Sequence, residues 1–282
     1  METQLIADSG ATKCEWALLQ NGKKKKFITQ GISPYFLSKE QIAELFRKEL
    51  LPKLKGISVN KVHFYGTGLA NPENVKAVKW AFKQVLTEAT VNAYTDLLAA
   101  ARALCNNEKG MACILGTGSN SCYYNGKSIV KSSPSLGYIL GDEGSGAYLG
   151  KRVIQYYLYN TFDEDLKSRF DARFTTTPIE ILENVYKMPL ANRYLASFAI
   201  FLAENRGHYM IENIIEDTLN DFFYTHLCKY KESWTHPINF IGGVAYGCRD
   251  VIKDLCSSYE LELGKVMAKP IEGLITFHSE KE

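Results

Sequence analysis

The chain has 282 residues, enough for one large domain or two of ordinary size, and its 46% apolar and 23% charged composition is that of a globular protein. A net charge of +2 gives no drive toward nucleic acid or an acidic membrane surface, and no apolar run approaches the roughly 18 residues that a spanning helix needs. Seven scattered cysteines, odd in number and without a Cys-x-x-Cys pair, speak against disulfides and zinc; with a strand pattern where a signal peptide would stand, they point to the cytoplasm.

Residues 4–7 read as a short apolar strand that turns through Asp8-Ser9-Gly10-Ala11-Thr12-Lys13 into a second strand over 14–19. Asn21-Gly22, a type I′ hairpin signal, leads to a third over 25–29, so the basic run at 23–26 is a solvated strand start. Helical spacing follows over 41–51, with Ser38 as N-cap and no Glu at N3. A strand over 62–65 ends in Gly66-Thr67-Gly68, and Pro72 and Glu73 open an amphipathic helix to about residue 86. A strand over 91–94 is followed by Thr95-Asp96 and an alanine-rich helix to about residue 105.

The second half repeats the first. With a shift of 108 residues, Gly10 falls on Gly118, Cys14 on Cys122 and Trp16 on Tyr124, and Asn125-Gly126 answers to Asn21-Gly22, four residues early. The apolar run 111–115 enters Gly116-Thr117-Gly118-Ser119-Asn120, where glycines permit positive φ and close approach to the main chain. The N–H groups and hydroxyls of such a turn suit a phosphate; one turn alone is as readily an ordinary hairpin, whereas two in matching positions favour phosphate. A third strand runs to about residue 131, a strand over 238–241 ends in Gly242-Gly243 before a helix, and a strand near 261–266 precedes a helix from Pro270. Each half therefore reads β-β-β-α-β-α-β-α, the second with a helical insertion over roughly 160–233 that offers a dimer surface. Two α/β halves of this kind, 1–107 and 108–282, make a cleft with ligands at the carboxyl ends of the strands, and the helix over about 268–282 is placed to pack back on the first half.

These motifs resemble the sugar kinase/actin/Hsp70 ATPase superfamily and, within it, the BadF/BadG/BcrA/BcrD-type ATPases with N-acetylglucosamine kinase. Asp8-Ser9-Gly10-Ala11-Thr12-Lys13 is similar to the first phosphate motif, usually Asp-Gly-Gly-Gly-Thr-Lys, and Gly116-Thr117-Gly118-Ser119-Asn120 to the second. Thr95-Asp96 resembles the segment of the catalytic aspartate, the run from Gly137 to Ser145 the Gly-x-x-x-Gly-Asp-Glu-Gly-Ser segment, and Gly242-Gly243-Val244 the adenosine-side loop. The resemblance implies two actin-like, ribonuclease H-like domains, each a mixed sheet with flanking helices, facing across a nucleotide cleft. It also implies ATP, Mg²⁺ and phosphoryl transfer. Two positions depart from the family's N-acetylglucosamine kinases: Leu136 stands where they have tryptophan, and the segment Gly31-Ile32-Ser33-Pro34-Tyr35 lacks their sugar-contacting asparagine.

Phosphoryl transfer asks mainly for positioning and charge neutralisation. On this reading Gly10, Thr12 and Lys13 hold phosphate oxygens from one domain and Gly116, Thr117, Gly118 and Ser119 from the other, while Gly242, Gly243 and Gly247 admit the adenosine. Asp96 is the general base and, with Asn120, Gly137 and Asp142, contacts the sugar; Asp8 and Glu143 serve the metal. Local structure offers each acid another role: an Asx turn for Asp8, a helix N-cap for Asp96 unless Thr95 fills it, and a helix start favoured by the dipole for Asp142 and Glu143. The five histidines show no metal spacing and take surface or core roles. The expected activity is ATP-dependent phosphorylation of an amino sugar or N-acetylated amino sugar. The competing expectations are an ATP-hydrolysing conformational activator and a nucleotide-regulated binding module without transfer.

Overall fold

The computed structural model describes residues 2–10 and 12–279, so Ala11 of the first glycine motif and the end of the helix expected over 268–282 lie outside the described residues. The chain divides into two compact units, one of Met1–Glu108 with Pro270–Glu282 and one of Lys109–Lys269.

The first unit is built on a five-stranded sheet of β1 (Gln4–Ser9), β2 (Lys13–Gln20), β3 (Lys23–Gln30), β4 (Lys61–Gly66) and β5 (Thr90–Thr95), in the order β3-β2-β1-β4-β5. The first three strands are antiparallel neighbours, whereas β4 and β5 run parallel to β1. β1 and β4 are buried almost throughout, as strands covered on both faces must be. β3 lies at the edge, where four consecutive exposed lysines, Lys23 to Lys26, discourage pairing with another chain. The β2–β3 hairpin turns through Asn21 and Gly22, both at positive φ, as a type I′ turn requires.

The second unit repeats this plan with β6 (Lys109–Leu115), β7 (Ser119–Asn125), β8 (Ile129–Ser132), β9 (Ile238–Ile241) and β10 (Leu263–Met267), in the order β10-β9-β6-β7-β8. Strand for strand it has the same neighbours and directions as the first. Both units are thus mixed α/β sheets of the actin-like kind. The second hairpin differs in its turn: the Asn125 side chain accepts from the N–H groups of Lys127 and Ser128, and a bulge follows in the β7–β8 ladder.

Between the helix Gly146–Leu158 and β9 lies the helical insertion, whose longest element is Tyr209–Thr225. The last helix, Ile271–Ser279, packs on the helix Asp96–Cys105 so closely that any side chain at Gly273 would meet the backbone of Ala103. The helix expected over 41–51 begins earlier, at Lys39, because Gln41 completes a capping box with Ser38 in place of the missing Glu. None of the described helices is long and apolar enough to cross a membrane.

The core of the first unit is centred on Trp16, which is fully buried among Phe27, Phe46, Phe64 and Phe82 with ring centroids 6.1 to 6.3 Å away. Its indole N–H donates to Thr29 Oγ1 at 2.9 Å, which satisfies the polar end of the ring. Trp16→Ala is expected to cost about 3–5 kcal/mol, read as a lower urea midpoint of the far-ultraviolet circular dichroism transition. An unchanged midpoint would remove Trp16 from the centre of this core.

Candidate active site

In the second unit β6 ends at Leu115, β7 begins at Ser119, and Gly116-Thr117-Gly118 makes the turn, closed by a hydrogen bond from Gly116 N–H to Gly118 O at 3.0 Å. The turn does not use the positive φ expected of its glycines; it uses their lack of a side chain. A Cβ on Gly118 would press on the Asp142 carboxylate at 3.1 Å. The carbonyls of Gly116 and Thr117 accept from the N–H groups of Gly146 and Ala147 at 2.8 and 3.0 Å, which ties the turn to the start of the next long helix. Ser119 is buried, and its Oγ has no hydrogen-bond partner among the described residues. A buried hydroxyl without a partner, beside a glycine turn at a strand end, is a donor set that fits a phosphate oxygen.

Asp142 and Glu143 do not start a helix, contrary to expectation. That helix begins at Gly146 with Ser145 as its N-cap, because the Ser145 side chain accepts from Tyr148 N–H and so performs the capping. The two acids lie in the preceding loop, where Asp142 takes a left-handed φ of 59°. Its Oδ1 accepts from Ser119 N–H at 3.2 Å. Burial raises the Asp142 pKa and the neighbouring Glu143 adds to this, against the Ser119 hydrogen bond and the pull of His226 and Lys151. Glu143 Oε2 lies 3.2 Å from His226 Nε2, and His226 Nδ1 lies 2.9 Å from Ser133 Oγ. His226 is thus part of this site, and nothing in the sequence spacing marks it. Gly137, at φ 71°, faces open space, and Asn120 Oδ1 accepts from the next residue's N–H at 2.8 Å.

At the end of β9, Gly242 has a φ of 126° and lies so close to the Leu115 carbonyl that no side chain fits. Gly243 and Gly247 instead face open space, on the wall of a cavity of about 460 Å³ whose other lining residues include Ala199, Val244 and Cys248. A mostly apolar cavity of this size suits a flat heterocycle.

In the first unit Gly10 N–H donates to Lys13 O at 3.1 Å, and Gly10, Thr12 and Lys13 are exposed. Ser9 Oγ accepts from Ile32 N–H at 2.9 Å and lies 3.1 Å from Ile32 O, which joins this turn to the segment Gly31–Tyr35. Asp8 is half-buried and stands opposite Glu15 in the antiparallel register, while Lys13 Nζ is 3.3 Å from Glu15. Like charges opposite one another in a ladder repel, and the Lys13 ammonium beside Glu15 offsets this. Among the described residues no group of three or more His, Cys, Asp or Glu is placed to hold a metal. One or two carboxylates fit Mg²⁺ that keeps several waters and takes its other ligands from phosphates.

Asp96 begins the helix after β5, and Thr95 fills the N-cap, its Oγ1 accepting from Leu98 N–H at 3.2 Å. Asp96 Oδ1 accepts from Leu97 N–H at 2.8 Å. Burial raises its pKa above the usual aspartate range, against the stabilising N–H of Leu97.

No protein-family model and no curated protein matches the chain. Among solved structures, a candidate N-acetylglucosamine kinase of Porphyromonas gingivalis superposes with a TM-score of 0.93 and 37% identity over 99% of each chain. A second candidate N-acetylglucosamine kinase, from Chromobacterium violaceum, gives 0.69 and 16% over 98% of this chain and 99% of that one. MreB5 of Spiroplasma citri gives 0.60 and 11% over 100% and 97%. The last two share the fold; the first shares enough sequence, over the whole of both chains, that this protein belongs to the N-acetylglucosamine kinase-like family.

Proposed function

We propose that the protein is an ATP-dependent kinase of an amino sugar or N-acetylated amino sugar, in the BadF/BadG/BcrA/BcrD-type branch of the superfamily. The observation that carries the reading is Asp96, a carboxylate at a strand-to-helix junction whose capping role is taken by Thr95 and whose ionised form is disfavoured by burial. Such a group is ready to accept a proton from a hydroxyl. The P. gingivalis relative, a candidate N-acetylglucosamine kinase, supports the acceptor class.

ATP supplies the phosphoryl group and Mg²⁺ neutralises its charge. The protein's part is binding and proton transfer. Gly116, Thr117, Gly118 and Ser119, with Gly10, Thr12 and Lys13, hold phosphate oxygens; Gly243 and Gly247 border the adenosine, with Gly242 fixing the strand end behind them. Asp8 holds the metal, directly or through water. Asp142, with Asn120 and Gly137, takes sugar hydroxyls, and Asp96 receives the proton of the attacking one.

ADP release across hexoses, hexosamines and N-acetylhexosamines is expected to show one or a few strong responders; a panel identical to the ATP-only blank refutes the kinase. With a responder in hand, Asp96→Asn should lower kcat about 10²- to 10⁴-fold while nucleotide binding persists, and full activity would exclude Asp96 as base. The base must be ionised and its pKa is raised, so kcat/KM should fall as the pH drops through a value above the usual aspartate range. A rate flat down to pH 4 would contradict this. Ser119→Ala removes a hydroxyl that has no partner among the described residues, so its melting temperature should hold or rise while ADP binds several-fold more weakly by titration calorimetry. Equal affinity would remove this hydroxyl from the phosphate site.

A further inference from the structure

His226 is the C-cap residue of the helix Tyr209–Thr225 and is 7% exposed. Its ring packs on Phe222, with centroids 4.8 Å apart, and the Cβ of Phe222 closes against Gly144 of the acidic loop. Both ring nitrogens are engaged, Nδ1 with Ser133 Oγ and Nε2 with Glu143 Oε2. A carboxylate only accepts, so Nε2 carries a proton toward Glu143, and Nδ1 and the Ser133 hydroxyl share the second hydrogen bond. Ser133 is held in turn, its N–H donating to Ser121 O on β7 at 3.2 Å. On the other side Glu143 follows Asp142, whose carboxylate is held by Ser119 N–H, again on β7. The interactions form a closed circuit that leaves β7 at Ser121, passes through Ser133, His226 and Glu143, and returns through Asp142 to Ser119.

We propose that His226 is the positioning residue of the acceptor site: by holding Glu143 it fixes the loop that presents the Asp142 carboxylate to the sugar. This rests on the sugar-kinase reading above. The left-handed backbone at Asp142 is a conformation that a non-glycine residue keeps only where its surroundings impose it. The circuit imposes it from both sides. Glu143 has an 18% exposed side chain; without its partner on the helix it is drawn toward water, and the loop follows. Asp96 belongs to the other unit and has its own supporting N–H, so the loss falls on sugar affinity and leaves transfer intact.

His226→Phe keeps an aromatic ring against Phe222 and removes both hydrogen bonds, whereas His226→Gln keeps an N–H for Glu143 and a carbonyl for Ser133. With the sugar the wild type uses best, His226→Phe should raise the sugar KM about tenfold or more, with kcat and the ATP KM within about twofold, and His226→Gln should recover most of the loss. Ser133→Ala, which removes a single hydroxyl of the circuit, should raise the sugar KM a few-fold and serves if His226→Phe does not fold. An unchanged sugar KM in these variants overturns the assignment. So do an equal deterioration of kcat and both KM values, which marks a merely structural ring, and a glutamine variant no better than the phenylalanine one. Wild-type protein that binds no sugar of the panel by titration calorimetry overturns the kinase reading and this assignment together; a responsive wild type with an indifferent His226→Phe overturns this assignment alone.

Discussion

At the carboxyl end of β6 the chain has no room for a side chain. Gly242 brings the end of β9 against the Leu115 carbonyl, Gly146 starts a helix on Gly116 O, and Gly144 sits between Leu115 and Phe222. The end of β9 and the loop 144–146, far apart in sequence, therefore meet the same turn, Gly242 and Gly146 against its backbone and Gly144 against side chains of Leu115 and Phe222. Glycine is the residue that permits this, at a cost of roughly 0.5–1 kcal/mol each in conformational entropy relative to alanine where it interrupts regular structure. Gly242 and Gly144 also stand at positive φ, so a substitution there meets both a strained backbone and an occupied space.

This constraint sets what remains for chemistry. The helix start uses the turn's carbonyls, so the turn is anchored from behind. Ser119 is left with its N–H on Asp142 and its hydroxyl buried without a partner among the described residues. Asp142 is left facing the bare Gly118, in a loop that neither neighbouring helix absorbs. A buried hydroxyl with no partner among the described residues and a left-handed, partly buried aspartate each disfavour the folded state. Their coincidence in one small region is what a binding site tends to show. Lys151 belongs to the same balance: burial lowers its pKa, and Glu143 and Asp142 oppose the shift.

The plan of the two sheets was legible in the sequence because strand pattern, turn residues and order repeat together, from Gly10 and Cys14 to Gly118 and Cys122. At Thr95-Asp96 the sequence offered either residue as the cap, and the backbone gives that place to Thr95. The start of the helix at Gly146 was not legible, because acidic residues before a helix and a serine cap compete as signals and only the backbone decides between them. His226 was illegible for a deeper reason. It meets Glu143 across 83 residues of chain, and the insertion that delivers it has no counterpart in the first half to read it against. Periodicity reports faces of single elements; it does not report which face of an inserted helix meets which loop.

The acceptor side of the first unit carries a related point. Ser9 stands where the resembling motif usually has glycine, and its hydroxyl is bonded to the main chain of Ile32. Gly31 N–H adds a bond to Thr12 O at 3.0 Å, so the segment that lacks the family's asparagine is fastened to the turn after β1 by the residue that replaces a glycine in that turn. The two departures meet in space. Within this fastened segment Ser33 is 2% exposed, and its Oγ has no partner among the described residues. A glycine at position 9 would leave the Ile32 N–H without its side-chain acceptor. The substitutions are therefore coupled through one loop. On the proposed reading, acceptor selectivity is to be sought in that loop and at Leu136, the positions where this chain departs from the family it resembles.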